Sequence, residues 1–287
     1  MENIFQINTE TCNRDGICVE VCPVGIINLP EDGYPEPFSD TEDICIRCGH
    51  CVAVCPTGSF RHRDLDPDRC PPVQPTFLPS EKQIGQLFQS RRSIRVYKDR
   101  PVDPGSLQKL IEMVGWAPSA HNSRKVRWLV FGNREKLYRL AATTVDWMRW
   151  TMSVMPERAA EFHFERRVKQ WERGVDGILR GAPVLVVAHG EKEPGLPPDV
   201  VTGMDNQVAP MDYAIALSYL ELAAMGLGLG TCWAGYVYKA ANLYPPMHAA
   251  LDLPEGHQCF GAMMVGYSRF TYRRIPQRSA PVVTWRL

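Results

Sequence analysis

The sequence predicts an α+β protein in which a small cysteine-rich domain precedes a larger domain of mixed helices and strands. Eight of the ten cysteines fall within the first 70 residues of the 287-residue chain. Segment 71–79 then holds four prolines in nine residues, which favours an extended linker over a helix. The remaining sequence alternates between apolar stripes of helical period and short β-branched runs. We therefore place the domain boundary at the proline segment.

Composition limits the partners and the location that we expect. Lysine and arginine total 32, as do aspartate and glutamate, so no basic excess indicates nucleic-acid binding. No apolar stretch is long enough to span a bilayer, and the first 29 residues lack the charged start and apolar core of a secretory signal. We expect a cytoplasmic protein that binds neither nucleic acid nor membrane.

The clearest motif lies at residues 45–56, which read C-I-R-C-G-H-C-V-A-V-C-P. In the spacing C-x2-C-x2-C-x3-C-P, one tight loop wraps three corners of an Fe4S4 cube, and the fourth cysteine reaches a second cluster. Structural zinc is the competing interpretation, but zinc sites usually combine C-x2-C with a second, distant pair. Three thiols within seven residues favour the cube.

An earlier segment, residues 12–23, repeats this plan with one change. Three of its four ligand positions are cysteines, and Asp15 stands where the second copy has Cys48. The copies lie 33 positions apart, and the residues after each motif also correspond, V-G-I-I against T-G-S-F. Together the two motifs resemble a bacterial two-cluster ferredoxin over roughly residues 1–70.

That resemblance implies two [4Fe–4S] clusters whose fourth ligands cross over. One cluster would be held by Cys45, Cys48, Cys51 and Cys22, and the other by Cys12, Cys18 and Cys55 with Asp15 at the remaining corner. Three alternatives stay open at that corner. The Asp15 carboxylate ligates iron and changes the potential, the corner loses its iron and leaves a [3Fe–4S] cluster, or Asp15-Gly16 is only a turn.

The larger domain contains recognisable helix starts and buried strands. Ser80 can cap a helix, and Asp103-Pro104 is a typical start for another. An apolar stretch predicts a core helix, and three apolar runs predict strands. The helix covers residues 211–225, and the strands cover residues 128–131, 183–188 and 261–266.

Four short motifs in this domain suit an anionic or planar ligand. Arginine side chains bind phosphate oxygens through two parallel hydrogen bonds, and glycines let backbone N–H groups approach a ligand closely. In chain order the motifs are R-R-S-I-R at 91–95, A-P-S-A-H-N at 117–122, G-L-G-T-C-W at 228–233 and R-R-I-P-Q-R at 273–278.

These motifs, in this order, resemble the FMN-dependent nitroreductase family over roughly residues 83–280. The resemblance implies a nitroreductase-like α/β sandwich, with a mixed sheet flanked by helices, in residues 81–287. The ferredoxin-like domain would cover residues 1–70 and the linker residues 71–80. The resemblance also implies a homodimer that binds FMN at the subunit interface.

The resemblance further assigns flavin contacts to individual residues. The flavin phosphate, ribityl chain and pyrimidine edge would contact Arg91, Arg92, Ser93 and Arg95. The isoalloxazine would lie along Pro118, Ser119 and Asn122, with Asn122 hydrogen-bonding the ring. Backbone contacts would come from Leu229, Gly230 and Thr231, and Arg274 would return to the phosphate, with Arg278 as a further candidate.

One departure from the family pattern concerns the electronics of the flavin. Arg124 and Lys125 stand where the family usually has glutamine and proline. If their charges lie beside the N1–C2=O edge, they raise the flavin potential. If both side chains point to solvent, they have no such effect.

We expect an enzyme in which iron–sulfur clusters relay single electrons to or from FMN. A flavin holds one or two electrons, so it can reduce a nitroaromatic, a quinone or another conjugated acceptor by two electrons. This chemistry belongs to the flavin, and no catalytic side chain is predicted. The fused domain favours an external low-potential donor. Two alternatives are a redox sensor or electron carrier without turnover, and an NAD(P)H-dependent reductase whose cluster domain is structural.

Overall fold

The computed structural model describes residues 3–192 and 205–287, without the side chains of residues 205–209. By its internal contacts the chain divides into two compact units. The first comprises Met1–Leu78 together with Ser119–Ser123, and the second comprises Pro79–Pro118 and Arg124–Leu287. The division falls within the proline-rich segment, which contains one 3-10 turn at Pro75–Phe77.

The first unit consists of short elements around a small apolar core. Its strands are β1 (Phe5–Ile7), β2 (Ile27–Asn28), β3 (Glu36–Pro37) and β4 (Phe60–His62), and its helices are α1 (Ile17–Glu20), α2 (Thr41–Ile44) and α3 (His50–Val54). Strand β1 pairs antiparallel with β4, and β2 pairs antiparallel with β3. The core contains Ile4, Phe5, Ile26, Ile27, Val52 and Phe60. This small core holds the two cysteine loops in place.

The second unit contains one four-stranded sheet and eight helices among the residues that the structure describes. The strands are β5 (Arg127–Phe131), β6 (Val184–Glu191), β7 (Gly230–Trp233) and β8 (His257–Gly266). The helices are α4 (Glu81–Ser90), α5 (Pro104–Val114), α6 (Arg134–Val154), α7 (Pro156–Glu161), α8 (Phe164–Glu172), α9 (Asp205–Gly226), α10 (Gly235–Leu243) and α11 (Pro245–Ala250). Each predicted helix and strand coincides with one of these elements, and only the strand predicted at 183–188 begins one residue early, before β6.

The sheet has the strand order β5-β6-β8-β7, and each of its three pairings is antiparallel. The α+β class is therefore confirmed, but the mixed sheet that we predicted is not found among the described strands. The reason lies in the connections. Helices α6–α8 return the chain to the end of the sheet at which β5 finishes, so β6 runs back beside it.

Strand β6 is buried on both faces, which explains its continuous apolar sequence. Leu185 and Val187 pack with residues of α6, α8, α10 and α11. The alternate residues Val184, Val186 and Ala188 pack with residues of α5 and α9. Because successive strand residues face opposite sides, the sheet is enclosed between two helical layers. This is the sandwich that the resemblance implied.

Local signals set the helix starts as predicted. The Ser80 hydroxyl accepts a hydrogen bond from the Gln83 amide, and the Gln83 side chain accepts one from the Ser80 amide, forming a capping box. The Asp103 carboxylate accepts from the Ser106 amide at 2.8 Å. The apolar face of α4 is only partly covered, as the 58% exposure of Phe88 shows.

In the described ranges, no helix combines the length and the apolar character that crossing a membrane requires.

Candidate functional sites

The second cysteine loop lines a cavity in the first unit. Cys45, Cys48 and Cys51 lie along it, and the distant Cys22 joins them. The remaining walls include the apolar side chains of Phe5, Ile26, Ile27 and Phe60. The structure therefore brings together the four thiols of the set in which Cys22 crosses over from the first loop.

The backbone of this loop is held in an unusual conformation. Arg47 has a φ of 50° and Gly49 a φ of 77°, both in the left-handed region. Gly49 caps the start of α3, which carries Cys51. The Arg47 amide donates to Cys45 Sγ at 3.5 Å, and His62 Nε2 lies 3.6 Å from the same sulfur. The loop thus positions its thiols and supplies N–H donors to one of them.

The partly buried thiols of the cavity suit a bound cation. Burial, with smaller contributions from the neighbouring Cys48 and Cys45, raises the pKa of Cys51 to about 12. Several thiolates in so small and partly buried a space repel one another and lose part of their hydration. Iron binds thiolate rather than thiol, and its positive charge offsets both costs. The donor set therefore fits an iron–sulfur cluster.

The first loop has the same backbone as the second, although it carries Asp15. Arg14 has a φ of 60° and Gly16 a φ of 71°, so they match Arg47 and Gly49. Asp15 Oδ1 accepts a hydrogen bond from the Ile17 amide at 3.2 Å, and Gly16 caps α1. Asp15 consequently occupies the backbone position of Cys48 while it also makes the local turn.

Cys18 of the first set interacts electrostatically with both Asp15 and Cys55. Burial raises the pKa of Cys18 to about 11, and the charges of Cys55 and Asp15 contribute to the increase. Burial also raises the pKa of Cys55. Hydrogen bonds from Thr57 and from backbone groups lower it by more, so the pKa of Cys55 lies below its ordinary value. Cys55 Sγ lies 3.6 Å from the Thr57 hydroxyl. Cys18 therefore lies within electrostatic range of both Asp15 and Cys55.

Two other features of the first unit concern metal binding. Within residues 3–192 and 205–287, no three His, Cys, Asp or Glu side chains form a group that could hold a single metal ion. Cys70 lies outside both loops, is exposed, and donates through Sγ to the Asp66 carbonyl at 3.3 Å. It makes no contribution to the four-thiol cavity.

In the second unit, the fold brings the first arginine motif against the glycine motif. The Ile94 amide donates to the Thr231 carbonyl at 2.8 Å. A Cβ atom on Gly230 would lie 2.4 Å from Ile94 Cγ1, so only glycine fits there. Arg91, Arg92, Ser93 and Arg95 therefore lie on a segment adjoining Leu229, Gly230 and Thr231. The arginine motif and the glycine motif therefore form one local group, in which arginine guanidinium groups can bind an anion.

Sequence reasoning missed two charged residues beside this group. Glu221 on α9 accepts from Arg91 Nη1 at 3.2 Å, and both side chains are largely buried. Arg180 lines a cavity of about 270 Å³ with Arg95, Lys239 and the backbone around Trp233. The signal for Glu221 was its charge within the apolar helix at 211–225, where Asp212 is the one other charged residue. Arg180 has a positive φ of 58°, which no sequence pattern indicates.

The second predicted motif divides between the units. Pro118 belongs to the second unit, whereas Ser119 and Asn122 belong to the first. Within the first unit, Asn122 Nδ2 donates to the carbonyls of Ile46 at 3.1 Å and Arg47 at 3.0 Å. The assigned contact of Asn122 with a flavin stays a prediction.

The remaining predicted positions lie on loops and in the C-terminal segment. The Lys125 carbonyl accepts from the Tyr213 hydroxyl at 3.4 Å, and Arg124 has a positive φ of 48°. Arg274 and Arg278 lie in the exposed segment after β8, which has neither helix nor strand. In the single chain this segment is not part of the sheet or its helical layers.

A two-loop cysteine domain followed by a sheet between two helical layers is typical of an iron–sulfur protein with a second, α+β domain. Residues 88–267 match the nitroreductase family, and residues 10–60 match the 4Fe-4S dicluster domain. The chain belongs to the nitroreductase family and carries an N-terminal 4Fe-4S dicluster domain. Both predicted resemblances and the enzyme class are thus confirmed.

Two curated relatives agree with this assignment. A putative NADH dehydrogenase/NAD(P)H nitroreductase from Archaeoglobus fulgidus is 24% identical over 184 residues, covering 64% of this chain and 84% of that protein. A protein of the same description from Methanothermobacter thermautotrophicus is 26% identical over 192 residues, covering 66% and 78%.

Two crystal structures show the same fold. A nitroreductase with bound FMN from Bacteroides fragilis has a TM-score of 0.53 and 22% identity, and covers 72% of this chain and 100% of its own. A nitroreductase with bound FMN from Desulfitobacterium hafniense has a TM-score of 0.52 and 22% identity, covering 71% and 96%. At this identity the likeness concerns the fold of the second unit.

Proposed function

We propose that this protein is an FMN-dependent oxidoreductase whose iron–sulfur clusters relay single electrons to or from the flavin. Its reaction is the two-electron reduction of a nitroaromatic, a quinone or another conjugated acceptor. The observation that carries the proposal is the gathering of Cys22 with Cys45, Cys48 and Cys51 in one cavity, on a chain that also contains a nitroreductase domain. An iron–sulfur domain transfers single electrons, so its fusion to a nitroreductase domain suits the supply of electrons to a flavin.

FMN is the proposed cofactor of the second unit, and the crystallised family members bind it. When bound, it supplies a centre that stores one or two electrons. Arg91, Arg92 and Arg95 provide positive charge for a phosphate and for the pyrimidine edge, and Ser93 adds a hydroxyl donor. Gly230 has no side chain, so Ile94 packs directly against its backbone and keeps the arginine motif beside the glycine motif.

Glu221 supports this site by orienting Arg91. Their ion pair of 3.2 Å is largely buried, so the guanidinium is held in one position before a ligand arrives. Charged partners that are shielded from water interact more strongly than exposed ones. Glu221 also reduces the repulsion among the arginines of this motif.

We further propose that Asp15 is the fourth ligand of the first cluster, with Cys12, Cys18 and Cys55. Its support is the shared backbone of the two loops, which gives Asp15 the position that Cys48 has in the second loop. A carboxylate oxygen is a harder ligand than sulfur and is lost more readily from iron. A three-iron cluster in the first loop is therefore the alternative product at this site.

The proposed assembly is a homodimer, and the proposed donor is an external low-potential carrier. NAD(P)H is the second candidate donor, because the two curated relatives are described as NAD(P)H nitroreductases. In that case the cluster domain would stabilise the fold without carrying electrons. A sensor or electron carrier would undergo reduction of clusters and flavin without turnover of an organic acceptor.

The test begins with anaerobic purification and analysis of iron, acid-labile sulfide and flavin. We expect about eight irons and one FMN per chain, whereas a three-iron first cluster would give about seven irons. A protein without iron, sulfide and flavin would refute the proposal. Size-exclusion chromatography with light scattering tests the dimer independently.

The relay is tested with Cys48→Ser and Cys51→Ser. With a chemically reduced low-potential donor, we expect turnover of a quinone or nitroaromatic to be lost in both variants while bound FMN is retained. If the cluster domain is structural, NAD(P)H-driven turnover survives in folded variants. If the wild type reduces its flavin but turns over no acceptor, the protein is a carrier or sensor.

A further inference from the structure

His62 is a buried histidine beside the four-thiol cavity that the proposed function does not use. It ends β4, is 5% exposed, and places Nε2 3.6 Å from Cys45 Sγ. A contact of this length is within hydrogen-bonding range for sulfur. Whether it is a hydrogen bond to the sulfur depends on which ring nitrogen carries the proton.

The other ring nitrogen fixes the tautomer. His62 Nδ1 lies 3.1 Å from the Asp64 amide, which can only donate. Nδ1 must therefore present its lone pair, and the proton of the neutral ring resides on Nε2. A cysteine sulfur bound to iron carries no proton and can only accept. The geometry thus defines the direction of the bond, from Nε2–H to Cys45 Sγ.

The backbone of His62 is held on both sides. Phe5 pairs with His62 across the β1–β4 ladder, and the Leu65 amide donates to the His62 carbonyl at 3.0 Å. Arg47, between Cys45 and Cys48, forms an ion pair with Asp64 at 2.7 Å. This exposed pair contributes little stability by itself, but it links the loop to the turn that orients the ring.

The first repeat lacks this donor. By the 33-residue spacing of the motifs, Leu29 stands at the sequence position of His62, and no histidine precedes His50. In space Leu29 takes the place of Leu65, because its side chain approaches Gly16 as that of Leu65 approaches Gly49, with each methyl 3.3 Å from the position of an added Cβ. An apolar side chain cannot donate to a cluster sulfur. The two clusters therefore differ in hydrogen bonding as well as in the ligand at Asp15.

We propose that His62 is a positioning residue that donates Nε2–H to Cys45 Sγ and raises the reduction potential of the cluster held by Cys22, Cys45, Cys48 and Cys51. The inference rests on the proposed function in one respect, since it requires that the clusters assemble. Reduction adds one electron and hence negative charge to the cluster and its sulfurs. A hydrogen bond to the sulfur is stronger in that state, so it favours reduction.

The test is a dithionite titration of the anaerobic holoprotein, followed by electron paramagnetic resonance. Dithionite supplies the electrons, and each four-iron cluster takes up one. In His62→Phe we expect the equilibrium constant for reduction of the cluster at the four-thiol cavity to fall about tenfold. This lowers its reduction potential by about 59 mV, since one electron is transferred. The other cluster should be unchanged. His62→Gln, which keeps an amide donor, should recover part of the shift.

His50→Gln is the matched control, because His50 also borders the cavity but is exposed at the start of α3. We expect both potentials to stay at their wild-type values in this variant. If replacing any histidine near the cavity changed the reduction potentials, His50→Gln would change them too. Such a shift, equal in size to that of His62→Phe, would overturn the inference.

A second readout does not depend on the stability of the variants. Wild-type protein labelled with 15N-histidine should show a nitrogen hyperfine coupling to the reduced cluster in pulsed resonance spectra, and His62→Gln should lose it. Absence of the coupling, or unchanged potentials in iron-replete His62→Phe, would overturn the inference. Absence of iron and sulfide in the wild type would instead refute the proposed function.

Discussion

The amide of Ile94 donates to the carbonyl of Thr231 at 2.8 Å, although the two residues lie far apart in sequence. This hydrogen bond brings the arginine motif at 91–95 against the glycine motif at 228–233. The contact is tight, because Gly230 leaves no space between its Cα and the Ile94 side chain. The candidate flavin site is therefore assembled by packing of two separate segments rather than by one continuous loop.

Gly230→Ala should disrupt this packing. The new methyl would lie 2.4 Å from Ile94 Cγ1, so the two segments must separate. Overpacking of this kind costs about 1–3 kcal/mol of unfolding free energy. We expect a lower midpoint of thermal unfolding and a reduced FMN content, measured by calorimetry and by flavin absorbance after gel filtration.

Gly226→Ala is the control for that substitution. Gly226 ends α9, and an added Cβ there meets no atom within 4 Å. Its flavin content and unfolding midpoint should equal or exceed those of the wild type. If Gly230→Ala behaves like Gly226→Ala, the two motifs are not held together as the structure indicates.

Local features of the fold could be predicted from the sequence, but long-range relationships could not. The capping residues Ser80 and Asp103 act within three positions of themselves, so their patterns predict helix starts directly. The apolar run at 183–188 predicts a buried strand for a similar reason. The direction of the neighbouring strands depends on which end of the sheet the long connecting segments reach. The sequence does not show this, so the prediction of a mixed sheet was wrong: the described strands pair antiparallel.

The same distinction between local and long-range features applies to the candidate sites. The cysteine spacing predicted both loops, and the family resemblance supplied the crossing of Cys22, which the cavity reproduces. Glu221 was missed because its partner Arg91 lies 130 positions away, and no pattern links them. The role of His62 could not be predicted from the sequence, because its tautomer depends on the fold of the Asp64 turn.

Glu221→Gln tests the role of the buried ion pair. The amide keeps the shape of the side chain but loses the charge that orients Arg91 at 3.2 Å. Because a mobile guanidinium binds phosphate less well than a fixed one, we expect the FMN dissociation constant to rise about tenfold, or about 1.4 kcal/mol. Fluorescence titration of flavin-depleted protein measures this constant.

Glu161→Gln provides the comparison for an exposed pair. Glu161 pairs with Arg158 on α7 at 2.7 Å, and both side chains are more than half exposed. Pairs of this kind contribute little, so flavin affinity and stability should stay unchanged. Tighter flavin binding by Glu221→Gln would show that Glu221 competes with the phosphate for Arg91, contrary to its proposed role.

Asp15→Cys tests the corner of the first cluster. The backbone of the first loop already matches that of the second, so a thiol at this position should ligate iron without rearrangement. We expect about eight irons per chain and a changed potential for this cluster alone. Iron analysis and a redox titration followed by electron paramagnetic resonance measure both quantities.

Asp15→Ala separates ligation by Asp15 from its turn. If the carboxylate binds iron, this variant should give a three-iron cluster and about seven irons per chain. Asp15→Asn keeps an acceptor for the Ile17 amide, so the turn is preserved while the anionic ligand is removed. Wild-type iron content and potentials in both variants would exclude ligation by Asp15.

The last prediction concerns acid stability and the histidine pair of the second unit. His189 on β6 is buried, and its Nδ1 lies 3.0 Å from Nδ1 of His257 on β8. Burial lowers the pKa of His189 below its ordinary value of 6.5, and the charges of His257 and Arg127 lower it further. One nitrogen of the pair must donate and the other accept, so the contact requires at least one neutral ring.

The sign of the effect follows from these shifts. The unfolded chain binds a proton at His189 near pH 6.5, whereas the folded chain binds it only at lower pH. The stability that the neutral ring contributes is therefore complete above pH 6.5 and is lost as the pH falls toward the folded pKa. Thermal unfolding between about pH 7.5 and about pH 5.5 should show a falling midpoint in the wild type. In His189→Gln this decrease should be smaller, while His163→Gln, at an exposed position before α8, should match the wild type. An equal decrease in all three proteins would exclude His189 as a source of the acid sensitivity.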